Sequence, residues 1–140
     1  MKFNKLDFTL IIKQFINVDK YRRFWQILFW LVLITIAYLT LTPRPPNPIS
    51  VQHIDKLYHF VTFFGFSLIF YIAFKKLGFY RILILSSLLG ILIEFIQIYI
   101  PNRGFSIADM VADCIGALVG VFVAHRLISQ QSDSSNKQSE

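Results

Sequence analysis

The sequence predicts an all-α integral membrane protein, a bundle of four transmembrane helices, and three observations predict it. Hydrophobic residues make up 55% of the 140 and aromatic residues 16%, above the usual composition of a soluble domain. Four apolar runs, at 24–41, 57–74, 82–100 and 106–127, are each long enough to cross most of a hydrocarbon core about 30 Å thick. Between them stand proline-rich or basic turns, which interrupt helices and favour the aqueous boundary. The net charge of +6 comes from Lys and Arg at the ends of these runs and forms no continuous patch, which argues against a nucleic-acid partner. The single Cys114 excludes an intrachain disulfide and reads as a small packing residue. No Cys/His grouping has the spacing of zinc ligands, so no metal is assigned.

Residues 1–23 carry six Lys/Arg among scattered apolar positions, a basic cytoplasmic segment suited to anionic headgroups. The run at 24–41 has no charge and is too long for an ordinary signal-peptide core, so it is expected to remain as the first span. Pro43, Pro45, Pro46 and Pro48 then forbid further helix and predict an extended interfacial loop. His53 is read as part of that loop. The second span, 57–74, is entered through Asp55 and Lys56 and carries His59 near its start. Lys75, Lys76, Gly78 and Arg81 make a short basic turn to the third span, which Pro101 ends. The fourth completes a membrane domain at 24–128, and the Ser/Gln-rich residues 129–140 are expected to be a disordered tail. Eleven of the fourteen Lys/Arg fall on the side of the termini and the middle turn. By the positive-inside rule both termini are cytoplasmic, and the loops at 43–48 and 101–105 face outward.

That orientation gathers the ionisable residues at one depth. An ionisable side chain in a bilayer costs about 2.5 to 3.5 kcal/mol on insertion scales, so those kept there call for a partner or a task. Glu94 stands six residues before Ile100, about 9 Å below the expected helix end. Asp55 with His59 and Asp109 with Asp113 are spaced i, i+4, and Glu94 with Gln97 i, i+3, so each pair shares one helix face. Ala108, Ala112, Gly116, Gly120 and Ala124 repeat every fourth residue, and Gly116 and Gly120 are expected to let another helix approach closely. Plainer roles stand beside these. Ser106 with Asp109 fits a capping box, Asp55 could cap its own helix, and Arg103 or Lys56 could meet lipid phosphate or form a buried ion pair with Glu94 or Asp113.

Asp55-Lys56 with His59-Phe60, then Glu94, Gln97, Pro101, Arg103 and Asp109, then Gly116 and Gly120, resembles the VanZ-like family of small bacterial membrane proteins over about residues 54–124. The resemblance implies several membrane helices in the bacterial cytoplasmic membrane and, through the family's namesake, an effect on susceptibility to the glycopeptide teicoplanin. Some members carry acyl-transfer labels, but no cofactor or phosphate-binding motif stands here to support one. Where the family often has Asn, this chain has Asp113, which adds a carboxylate to the cluster.

Three classes of function remain open at this stage. In the first, Lys56, Gln97, Arg103, Asp109 and Asp113 hold an anionic lipid-linked envelope component at the outer face, with a lipid-linked cell-wall precursor or a glycopeptide as the partner, while apolar walls take the lipid chain. In the second, a hydrolase or transferase uses His59 as general base oriented by Asp55, with Glu94 as proton donor. Glu94, Asp109 and Asp113 could there hold a divalent cation through oxygen ligands. In the third, the chain is a structural or regulatory partner without turnover.

Overall fold

The computed structural model describes residues 20–43 and 54–136, with side chains through 130; residues 1–19, 44–53, where the sequence places the proline-rich loop and His53, and 137–140 lie outside the described residues. Among the described residues four α-helices follow one another: α1 Arg22–Leu41, α2 Ile54–Ala73, α3 Phe79–Gln97 and α4 Ile107–Asn136, with a 3-10 turn at Lys75–Leu77 before α3. All four are long and apolar enough to cross a membrane. A helix of 20 residues such as α1 rises about 30 Å, the thickness of the hydrocarbon core. The outward faces are apolar: Ile27, Trp30, Leu31, Ile34 and Tyr38 of α1 and Ile84, Leu88 and Leu92 of α3 are all exposed, as a lipid solvent requires.

The helix ends depart from the sequence expectation in ways that matter for the site. The second helix begins at Ile54, so Asp55 and Lys56 lie in its first turn. The third ends at Gln97, because Tyr99 and Ile100 donate to Ile96 and Gln97 in tight turns and Pro101 disfavours helix at the residue before it. Glu94 is therefore in the last turn of α3, about 4.5 Å below its end. The expected disordered tail is helical through Asn136, so that α4 carries its polar sequence past the apolar run. Gly78 joins the 3-10 turn to α3 at φ 82, where a side chain would be strained.

The core of the bundle is the pair α2 and α4. His59 meets Asp113 and Tyr71 meets His125, each pair 54 residues apart, so the two helices run in the same direction at constant register. Glycine sets their distance. A Cβ at Gly116 would strike the Phe60 carbonyl and stand 3.1 Å from the Phe64 nitrogen, and one at Gly120 would strike Phe64 and Ser67. The Ser67 hydroxyl, fully buried, donates across the seam to the Ala117 carbonyl at 3.1 Å. The small stripe differs from its sequence reading at its start: Ala108 is exposed and Ala112 half-buried, while Asp109 and Asp113 take the buried face. Against α2, α1 packs through aromatic rings, with Phe29 centred 4.7 Å from Phe70 and 5.6 Å from Phe66.

Candidate functional site

The polar cluster is assembled at the end of the bundle where α2 and α4 begin and α3 stops. Ser106 caps α4: its hydroxyl accepts the Asp109 N–H at 3.2 Å, leaving the Asp109 carboxylate for another partner. The Ser106 N–H in turn donates to Glu94 Oε2 at 3.0 Å, so the last turn of α3 delivers a carboxylate to the positive end of α4. Glu94 and Asp113 are both fully buried. Room for Asp113 comes from Gly90, one turn before Glu94, because a Cβ there would stand 2.8 Å from the Asp113 Cβ.

Between these acids lies His59. Its Nδ1 is 3.0 Å from Asp113 Oδ1 and 3.8 Å from Glu94 Oε1. The other ring nitrogen, Nε2, makes no hydrogen bond among the described residues. A second group stands one turn nearer the helix starts. Lys56 Nζ is 3.1 Å from Asp55 Oδ2 and 3.3 Å from Asp109 Oδ1, the latter an ion pair without hydrogen-bond alignment.

The arrangement corrects several sequence expectations. Asp55 does not orient His59; it is held by Lys56, and Asp113 from the neighbouring helix takes the imidazole instead. Arg103 does not pair with Glu94 or Asp113. Its Nη2 donates to the Leu39 carbonyl at 2.7 Å and the Thr42 carbonyl at 3.4 Å, and thus closes the C-terminal end of α1. The turn that sends it there has Asn102 at φ 60 and the Arg103 N–H on the Ile100 carbonyl at 3.1 Å. Asp109 joins Lys56, leaving His59, Glu94 and Asp113 as the group whose ligand atoms all lie within 4.8 Å of one another. Asp113 has no exposed surface.

Beside His59 opens a cleft of about 280 Å³ between α1, α2 and α3. Ile36, Phe63 and Ile93 supply apolar wall, and Asp55, His59, Gln97 and Arg103 supply polar edges. Gln97 is 5% exposed, so its amide is presented from a buried position. Sequence reasoning missed Gly90, Tyr71 and His125. A glycine four residues before Glu94, on the same face of a helix otherwise built of large residues, was the available signal for the first. The Tyr71 hydroxyl and His125 Nδ1, 2.7 Å apart, had none, because their pairing depends on the register of two separate helices.

A polytopic membrane protein, with four helices able to cross the bilayer among the described residues and a half-buried histidine on two buried carboxylates near one end, is what the fold and site define. The chain belongs to the VanZ/LLP1 family, whose sequence profile matches residues 3–129. It is also similar to a protein of the fission yeast Schizosaccharomyces pombe, "Uncharacterized protein C11E3.10", with 32% identity over 100 residues, which cover 69% of this chain and 59% of the yeast protein. No solved structure matches it.

Proposed function

We propose that the cleft beside His59 binds the anionic head of a membrane-embedded lipid, with the acyl chains along its apolar wall. The observation that carries this is the cleft itself, apolar on one side, with His59 and Gln97 held at its edge and the Arg103 guanidinium supplying positive charge. In its finer form the ligand is a lipid-linked cell-wall precursor at the outer face of a bacterial cytoplasmic membrane, and its sequestration alters susceptibility to teicoplanin. Similarity to a yeast protein favours the broader form, a phosphate-bearing head common to bacterial and eukaryotic membranes. The eleven-to-three division of Lys/Arg supports an outward-facing cleft. The test is thermal unfolding of the detergent-purified chain with phosphatidylglycerol, undecaprenyl phosphate or phosphatidylcholine added. A rise in Tm with the phosphate-bearing anionic lipids, absent with phosphatidylcholine and lost in His59→Gln, is expected. Equal response to all three lipids would refute head-group recognition.

The His59 Nδ1 to Asp113 Oδ1 distance of 3.0 Å favours a second reading, in which the chain modifies the bound lipid as a hydrolase or transferase. An aspartate holding one ring nitrogen fixes the tautomer and orientation, so the other can act as general base on a water or hydroxyl in the cleft. Lipid binding that persists in Asp113→Asn while conversion of the lipid, followed by mass spectrometry, disappears would distinguish turnover from binding alone.

A further inference from the structure

We infer that His59, Glu94 and Asp113 form a binding site for a divalent first-row transition-metal ion, a reading that stands on the donor set and is independent of any lipid ligand. One imidazole nitrogen and two carboxylates from three different helices converge with all ligand atoms within 4.8 Å of one another. Donors bonded to a zinc ion at about 2.1 Å stand about 3.0 to 3.5 Å apart. The His59 to Asp113 distance of 3.0 Å is already in that range, and the His59 to Glu94 distance of 3.8 Å needs only a small inward shift.

An independent observation points to a ligand. Glu94 has no exposed surface, and its Oε1, on the side facing His59, has no hydrogen-bond partner. A buried polar atom left without a partner is costly, more so when its group is a carboxylate. The cations of the neighbourhood do not answer it: Lys56 is taken by Asp55 and Asp109, and Arg103 turns an amino group to α1. A single imidazole offers at most one proton to two buried acids, whereas a divalent ion balances both. The other oxygen of Glu94 is anchored by the Ser106 N–H, the kind of outer contact that orients a metal-ligating carboxylate.

The donor set selects the ion class. An imidazole among the ligands disfavours calcium and magnesium, and the absence of sulfur in the group disfavours soft cuprous ion, leaving Zn²⁺, Mn²⁺ and Fe²⁺ as the chemical class. The ion would replace the proton shared by Nδ1 and Asp113. Three protein ligands leave a further coordination position, which a water oxygen can take.

The experiment uses the full chain without a polyhistidine tag, in a Cys114→Ala background, stripped with chelator in detergent and titrated with Zn²⁺ and separately Mn²⁺. Bound metal is counted by mass spectrometry after gel filtration. One ion per chain and a raised Tm are expected. Glu94→Gln, which keeps an oxygen for the Ser106 N–H, should weaken binding by at least about 10-fold. His125→Gln, which removes the distant imidazole, should leave one ion per chain. Should Glu94→Gln fail to fold, Co²⁺ added to the unmodified chain gives the second readout, visible ligand-field bands of a mixed nitrogen and oxygen set. No stoichiometric binding, no cobalt bands, or binding that survives Glu94→Gln and is lost in His125→Gln would each overturn the site.

Discussion

The seam between α2 and α4 carries a histidine pair near each end, and the two are built differently. Twelve residues along the helices, about 18 Å, separate His59 with Asp113 from Tyr71 with His125. At the first, the partner is a carboxylate with no exposed surface, a second such carboxylate stands beside it, and a cleft adjoins the ring. At the second, the partner is a neutral hydroxyl, His125 is exposed, and its ring meets the edge of Phe79 at 5.7 Å between centroids. The same register thus serves two purposes. A hydroxyl–imidazole pair can stand at a helix surface for one hydrogen bond's worth of stability, whereas buried carboxylates need capping N–H groups, a glycine to make room and further counter-charge.

The comparison can be broken most severely at the seam both pairs share. Gly120→Val puts side-chain atoms where Phe64 and Ser67 already are, and should cost about 3 kcal/mol or more and disturb both ends. Thermal unfolding in detergent measures it, and an unchanged Tm would mean that the helices do not meet as closely as described. A smaller, one-ended effect is expected of Gly90→Ala. Its methyl meets the Asp113 carboxylate, which must move away from His59, for about 1 to 3 kcal/mol. Ligand binding at the His59 cleft should fall with it, and proportional loss at the Tyr71 end, followed by tyrosine fluorescence, would contradict a local cause. Smallest is Tyr71→Phe, which removes one hydrogen bond and should cost about 1 kcal/mol with lipid and metal binding unchanged. A binding defect there would join the two ends into one functional unit.

Much of the architecture was legible beforehand because a bilayer constrains sequence so strongly. The four apolar runs, the breaks at Pro101 and at Gly78 with its basic neighbours, and the concentration of acids near one end could be read directly. The start of α2 and the end of α3 shifted by about one turn, since a helix can admit Asp55 and Lys56 into its first turn and can end before its apolar run does, and the end of α4 moved by more than two turns into polar sequence. The close approach at Gly116 and Gly120 was also visible in their spacing.

What the sequence by itself determined was which residues share a helix face and which faces are too polar to meet lipid, since both follow from 3.6 residues per turn and the cost of burying charge. Pairing was decided only in the tertiary structure. Asp55 sits four residues from His59 on its own helix, yet Asp113 holds the imidazole, because the rotation and register of α4 against α2 bring that carboxylate to 3.0 Å. Glu94 and Arg103 are nine residues apart, yet the turn through Asn102 sends the guanidinium to the carbonyls ending α1 while Glu94 meets the Ser106 N–H. Spacing along one helix specifies direction; the partner that waits there depends on how closely and at what offset the next helix packs, and here that offset is set by two glycines against the α2 backbone.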